Sequence, residues 1–358
     1  MSTASELKSG YLKGKKRKML AILSLFLALL VIVVVSVSLG AGSPRFNEAT
    51  QVILSKLFPF LKIESASQVT QTIILEIRLP RIILAIIAGA GLAASGAAMQ
   101  GVLRNPLVSS YILGISAAAG FGAALAIVFG IGFFTLYGYY LVVANAFIFS
   151  LLAMLLVYGI ARLRGITSET VILSGVAVGF LFSAMLSLIQ YLTPEDEAMR
   201  AVIFWLLGGL SSAKWESIMV IIPIVLISIV LMVRQSWDIN ILSLGEEVAT
   251  SLGVNSRRAL ATCMVLATLA TASIVAFTGV IGFVCLISPH IARMLIGSDH
   301  RFLLPCSAVV GSCLLLCSDT LARLVLMPAE IPVGIVTSLL GVPFFIYLLL
   351  SRRRRSWR

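Results

Sequence analysis

Acidic residues are scarce in this chain. There are 15 among 358 residues, and none lies between Glu76 and Glu169. Charged residues of both signs make up 12%, about half the share of an ordinary soluble domain, roughly 25%. So little charge cannot cover a water-facing surface, which excludes an ordinary soluble globular protein. No G-x-x-x-x-G-K-[ST] occurs, so the chain does not bind ATP through a P-loop. There is no C-x-x-C, and Cys263, Cys285, Cys306, Cys313 and Cys317 all sit inside apolar runs. They read as small buried hydrophobes, not as disulfide partners or metal ligands. Two histidines, His290 and His300, are too few for a histidine metal site. No nucleophile–base pair or paired carboxylates gather as catalysis requires, so the chain does not read as an enzyme and no cofactor is expected on it.

What is abundant is apolar sequence: 59% of the residues, in long runs. A spanning helix needs about 20 apolar residues. Runs at 19–39, 82–103, 112–131, 139–161, 170–191, 218–233, 303–326 and 332–350 qualify. The block 260–295 is too long for one helix and short for two, and "TGVIG" from Thr278 to Gly282 offers a turn in its middle. Splitting it there predicts an all-α, polytopic membrane protein of about ten transmembrane helices with both termini cytoplasmic. Run 19–39 exceeds a signal-peptide core of about 7–15 residues, so it is expected to remain as the first span. The chain then divides into a basic cytoplasmic tail at 1–18, one transmembrane domain at 19–350 and a second basic tail at 351–358.

The net charge of +12 tests this count. Cytoplasmic loops collect Lys and Arg. Ten spans place inside the six basic residues from Lys8 to Lys18, Arg104, Arg162, Arg164, Arg234, Arg257, Arg258, Arg293, Arg301, Arg352 to Arg355 and Arg358, which are 19 of the 27. Nine spans would put the terminal "RRRRSWR" outside. The positive charge therefore sets membrane orientation, and no nucleic-acid partner is expected. Two segments are not spans. Residues 47–61 are mixed and external, as an amphipathic surface helix. "AVIFWLLGGL" at 201–210 is too short to cross and lies at the outer face or dips into it.

"RIILAIIAGAGLAA", from Arg81 to Ala94, imitates the G-x-G-x-x-A turn of a dinucleotide-binding fold. That fold needs an acidic residue about 20 positions on, and this region has none. Ala85, Gly89, Ala93, Ala97 and Gly101 instead recur every four residues, the spacing that lets helices approach closely in a membrane. Arg78 and Arg81 flank Pro80 at the outer end, against the positive-inside bias. They either snorkel to headgroups or dock an acidic partner. Asp319 and Arg323, at i and i+4, form a pair able to neutralise itself inside a membrane. The longest inner connection is the segment 236–258. Within it "GEEVATSLG" predicts a short helix between Gly245 and Gly253, a cytoplasmic handle for a soluble partner or an ordinary solvated loop.

Several long motifs in order now carry a resemblance: "RLPRIILAIIAGAGLAASGAAMQGVLRNPL", "LGISAAAG", "LSGVAVG", "LGEEVATSLGV", "GVIGFVCLISPHIARML", "SDTLARL" and "AEIPVGIVTSLLGVPFFIYLL". The chain resembles the FecCD-type permeases, the membrane subunits of ferric-siderophore, haem and cobalamin ABC importers. The resemblance implies two permease copies, or a copy and a paralogue, around a pathway lined by the fifth and tenth spans. It implies ATPase subunits that hold ATP and Mg on the cytoplasmic side and an extracytoplasmic substrate-binding protein. It places binding-protein docking at Arg78, Arg81 and Arg323. It places ATPase coupling at Leu244, Gly245, Glu246, Glu247, Ser251 and Gly253. An inner gate falls near Asn105, Leu107, Ser168 and Glu169, with Thr167-Ser168 or Ser168-Glu169 matching the Thr-Ser pair of the cobalamin permease. The fifth span offers few polar groups beyond Ser174, Ser183, Ser187 and Gln190. The implied cargo is an iron(III)-siderophore, with cobalamin or haem as alternatives, carried across the cytoplasmic membrane. An ion-coupled secondary transporter is the rival class. It needs midplane carboxylates, of which only Asp319 is a candidate.

Overall fold

The computed structural model describes residues 4–40, 48, 51, 52, 55, 67–132, 138–194 and 196–351. Most of segment 47–61 and the tail beyond Ser351 therefore lie outside the described residues. Every regular element among those described is helical. We label them α1 (Ala4–Ser38), α2 (Leu79–Val102), α3 (Ile115–Phe129), α4 (Tyr139–Arg164), α5 (Ser168–Leu192), α6 (Asp196–Leu207), α7 (Trp215–Arg234), α8 (Ser236–Leu242), α9 (Glu246–Ser251), α10 (Ser256–Thr278), α11 (Val284–Ile296), α12 (His300–Leu324) and α13 (Val333–Ser351). A lead-in of Gln68–Thr72 and the π-turn Ile73–Arg78 runs without a break into α2.

Among the described residues, seven helices are long and apolar enough to cross a membrane, and α3, α11 and α13 are shorter apolar helices. Together they make the ten expected. Helices suit this role because each satisfies its backbone hydrogen bonds within its own segment, where no water is present to do so. α1 is longer than its apolar run. It is helical from Ala4, so the basic residues up to Lys18 form the inner extension of the first span. The block 260–295 divides where the glycines allow it. α10 stops at Thr278, Gly279 takes a left-handed φ of 69°, and α11 starts at Val284. A Cβ on Gly279 would lie 2.1 Å from the Trp205 carbonyl oxygen, so this turn receives the tip of α6. α6 starts earlier than segment 201–210 suggested, in the acidic loop, and does not cross.

α2 is the axis of the bundle and is buried on every side. Its face of small residues meets α12 backbone to backbone. A Cβ on Gly89 would stand 2.3 Å from the Gly311 oxygen, and one on Gly311 would stand 2.3 Å from the Gly89 oxygen. Ala85, Ala93 and Ala97 on the same face are fully buried. Gly101 receives the His300 ring and Ile239. The off-stripe residue Gly96 abuts the Cys285 carbonyl of α11. Between lipid-solvated helices the driving force is close van der Waals packing, and the missing side chains provide it.

Candidate functional site

At the outer end, α1, α2 and α12 bring charges together. The π-turn feeds Arg78 and Arg81 onto one side of the α2 start, and all three arginines there are buried. Asp319 is 0% exposed and is shared. Its Oδ1 accepts from Arg81 Nε at 2.8 Å and its Oδ2 from Arg323 Nε at 3.1 Å. Arg81 Nη1 also donates to Glu330 Oε2 at 2.7 Å. The last turn of α1 completes the cluster. Arg78 donates to the Val37 carbonyl, and Arg323 donates to Ser36 Oγ at 2.8 Å and to the Leu39 carbonyl at 3.2 Å. Burying ions is costly, and only full pairing and hydrogen bonding offset it. The sequence reading anticipated the Asp319–Arg323 pair and grouped the three arginines. It missed Glu330, 249 residues from its partner Arg81. The signal for it was slight: a lone acid in the last outer loop.

At the inner end, segment 236–258 forms two helices. α9 matches the expected "GEEVATSLG" helix, with Gly245 at φ 118° before it and Gly253 at φ 82° after it. The Val254 amide closes the end onto the Ala249 carbonyl at 2.9 Å, the helix stop that a left-handed glycine permits. Ala249 faces the core, while Leu244, Val248 and Leu252 are exposed. Val248 and Leu252, four residues apart, share one face of α9 on the cytoplasmic side, and Leu244 precedes them across the extended Gly245. Val248 and Leu252 were not picked from sequence, although that i, i+4 spacing was there to see. Glu246 pairs weakly with Arg104 at 3.5 Å. Gly245, Glu247 and Ser251 lie on the same short element, with Ser251 Oγ donating to the Glu247 carbonyl.

α8 was not anticipated, and it fixes the handle to α12. Asn240 Nδ2 donates to Asp299 Oδ1 at 2.9 Å. Its Oδ1 accepts from the His300 amide at 2.9 Å and faces His300 Nδ1 at 2.8 Å. Because Asn240 presents an oxygen there, the proton sits on Nδ1. Arg301 stacks over Trp237, 4.3 Å from the ring centroid, and pairs with Asp299 at 2.6 Å. Partial burial would raise the Asp299 carboxyl, but hydrogen bonds from Arg301 and Asn240 hold it at about 2, so this clamp stays charged at neutral pH.

Of the expected gate residues, Asn105 and Leu107 sit in the inner loop after α2, and Ser168 and Glu169 follow the inner loop that leads into α5. Asn105 Oδ1 caps the turn by accepting from the Leu107 amide at 2.9 Å, and Leu107 is exposed. Thr167 is the N-cap of α5 in a reciprocal box with Thr170, which places Ser168 at the first helical position and Glu169 in the first turn. Both loops reach one cavity of about 570 Å³ through Arg104, Ile166 and Thr167, with Glu246 and Thr250 of the handle on its other wall. Along α5, Phe180, Leu188 and Tyr191 are exposed, and on α13 so are Leu339, Tyr347 and Leu350. α1 and α7 expose apolar surface to a similar extent. Ser183 and Ser187 lie on that outward side of α5, whereas Ser174 is buried. A cavity of about 470 Å³ opens beside Ser183 and Phe180.

Comparison with known proteins gives this arrangement a context. The model of the FecCD transport family matches residues 28–351. The hemin transport system permease HmuU of Yersinia pestis is 40% identical over 78% of this chain and 84% of its own length. The Fe(3+)-citrate import permease YfmE of Bacillus subtilis is 39% identical over 79% of this chain and 84% of its own. Among solved structures, an ABC transporter described as of the metal-chelate type, in an inward-facing conformation, superposes with a TM-score of 0.80 at 34% identity. That match covers 92% of this chain and 99% of that one. With ten apolar helices in the expected places and a match across nearly its whole length, this chain belongs to the FecCD transport family and is a multi-pass membrane permease of the ABC importer class.

Proposed function

We propose that the chain, with a second copy or a paralogue, forms the pathway of an ATP-driven importer for an iron(III)-siderophore or a related metal chelate. ATPase subunits carrying ATP and Mg bind the inner handle. A substrate-binding protein delivers cargo to the outer cluster of Arg78, Arg81 and Arg323. The observation that carries this reading is the exposure of Leu244, Val248 and Leu252 on and beside α9, apolar side chains at the aqueous end of a permease that call for a protein groove. Nucleotide-driven movement of α9 passes through α8 and the Asn240 clamp to α12, and switches access to the pathway between α5 and α13. Asn105, Leu107, Ser168 and Glu169 form its inner mouth. Hemin and ferric citrate, named for the two relatives, are both iron chelates. Iron is the first choice on that ground, with cobalamin and haem as the alternatives.

The test is a mild-detergent pull-down of the tagged chain from its native membrane with mass spectrometry. An ATPase subunit at equal stoichiometry, with an extracytoplasmic binding protein, is expected. Labelled ferric siderophore, haem and cobalamin offered to that binding protein then rank the cargoes. Recovery of the chain alone, under conditions that keep other membrane complexes intact, overturns the importer reading. A paired substitution addresses the handle. Leu244→Glu with Leu252→Glu is expected to cut ATPase recovery about tenfold or more, since two apolar anchors are lost from one small contact. The chain's own yield should not change, because both side chains are exposed. Undiminished recovery would remove α9 from the coupling contact.

A further inference from the structure

The Arg81 guanidinium holds two carboxylates of different character. Asp319 is sealed in the bundle and is also held by Arg323, so it is permanent. Glu330 is 44% exposed and touches the cluster through one 2.7 Å contact, to Arg81. It belongs to the connection just before α13, whose backbone is tied to α12 by the Ile331 amide donating to the Ala322 carbonyl at 3.1 Å. Arg81 and Arg323 pair with Asp319 and Glu330, two cations with two anions, and Arg78 beside them is held by the Val37 carbonyl. Without Glu330, Arg81 loses one of its two carboxylate partners, and the group that takes the vacated contact is another carboxylate. Space for the displaced side chain exists. Arg81 and Glu330 line a cavity of about 380 Å³ shared with Tyr139, Ser211 and Ser212, whose hydroxyls offer hydrogen bonds.

We propose that Glu330 is an internal stand-in for a carboxylate of the docking partner. A glutamate or aspartate of the arriving protein takes its place on Arg81, and Glu330 swings into the adjoining cavity. The inference rests on the docking reading of the outer cluster and adds its regulation. Exchanging one carboxylate for another leaves the buried pairs of Asp319 intact, so it proceeds without stripping the partner from a buried ion. It also has a direction. Glu330 lies three residues before the first residue of α13, so its release is felt at the start of a helix expected to line the pathway. In the free permease the Arg81–Glu330 pair closes the site to weak or cationic visitors, and only an acid that outcompetes Glu330 opens it.

The exchange makes Glu330 a competitor, so its removal should tighten docking. The experiment uses the intact complex in lipid nanodiscs and the binding protein recovered with it. Glu330→Ala is expected to bind that protein about fivefold tighter, the order of a half-exposed ion pair, and Arg81→Gln at least about tenfold weaker. Glu197→Ala, which removes an exposed carboxylate from α6, is expected to change nothing. Equal tightening in Glu197→Ala would mean a long-range charge effect and would overturn the exchange. Weakening in Arg81→Gln with no tightening in Glu330→Ala overturns the exchange but leaves the docking surface standing. Unchanged binding in Arg81→Gln removes the docking surface, and the exchange falls with it. A second measurement needs no partner protein. Sodium acetate, against sodium chloride at equal ionic strength, is expected to raise the Tm of Glu330→Ala by about 2 °C more than that of the wild type. A rise in Glu330→Ala no larger than in the wild type overturns the proposal even if Arg81→Gln fails to assemble.

Discussion

Asp319→Ala is expected to destabilise the chain by about 3–5 kcal/mol, the cost of removing one member of a buried ion network. That is a large part of a typical stability of about 5–15 kcal/mol, so little protein should survive in the membrane at growth temperature. The reason lies in the sharing. Asp319 accepts from Arg81 and from Arg323 at once, and its loss leaves two buried guanidinium groups without their common anion. Arg81 would keep Glu330 and Arg323 would keep Ser36 and the Leu39 carbonyl, but neither has a second buried carboxylate to turn to among the described residues. Asp319→Asn retains the volume and one acceptor and should fall between. Glu330→Gln, at a half-exposed position on the same arginine, should cost less than about 1 kcal/mol. Thermal unfolding in a single detergent ranks the three. A cost for Asp319→Ala as small as that for Glu330→Gln would mean that the buried carboxylate is not the hub of the cluster.

Gly96→Ala and Gly159→Ala make the same chemical change and are expected to move stability in opposite directions. In an exposed helix, alanine is better than glycine by about 1 kcal/mol. Gly159 in α4 has open space around its would-be Cβ, so its substitution should stabilise by up to that amount. At Gly96 the added carbon would lie 1.9 Å from the Cys285 carbonyl oxygen and 2.7 Å from the carbonyl carbon. A backbone carbonyl cannot turn aside as a side-chain end can, so α2 and α11 must separate along their contact. Overpacking of this kind costs about 1–3 kcal/mol and sometimes more, and at a backbone–backbone crossing the upper end is expected. Tm values and resistance to proteolysis in the same detergent check both variants. A stabilising Gly96→Ala would refute the close α2–α11 contact.

The two cases differ in how much of each was written in the chain. The stripe from Ala85 to Gly101 repeats every fourth residue, and that regularity pointed to a packed face. Gly91 and Gly96 lie off the stripe. Gly91 is needed because Ile274 and Val225 press on another side of α2, and no spacing rule foretells a helix surrounded on all sides. α9 was legible because Gly245 and Gly253 punctuate it. α8 was not, being seven residues long and separated from α7 only by Gln235. The Asp319–Arg323 pair was legible as i, i+4 neighbours. The contact of Asp319 with Arg81 joins residues 238 positions apart, and nothing local announces it.

The sequence by itself determined the ten apolar helices, the turn at Gly279, the basic inner ends and the punctuated handle. Each of these rests on interactions within a few residues: hydrogen bonds closed inside one helix, left-handed glycines, and charges excluded from hydrocarbon. Only the tertiary structure decided that Arg78, Arg81 and Arg323 are buried, that one carboxylate serves two of them, that Glu330 guards the third side, and that Asn240 ties the handle to α12. Those facts depend on which helices lie side by side and at what depth. Many apolar surfaces would pack with similar energy, so composition leaves the choice open, and it falls to the few places where a missing side chain or a buried charge admits a single neighbour.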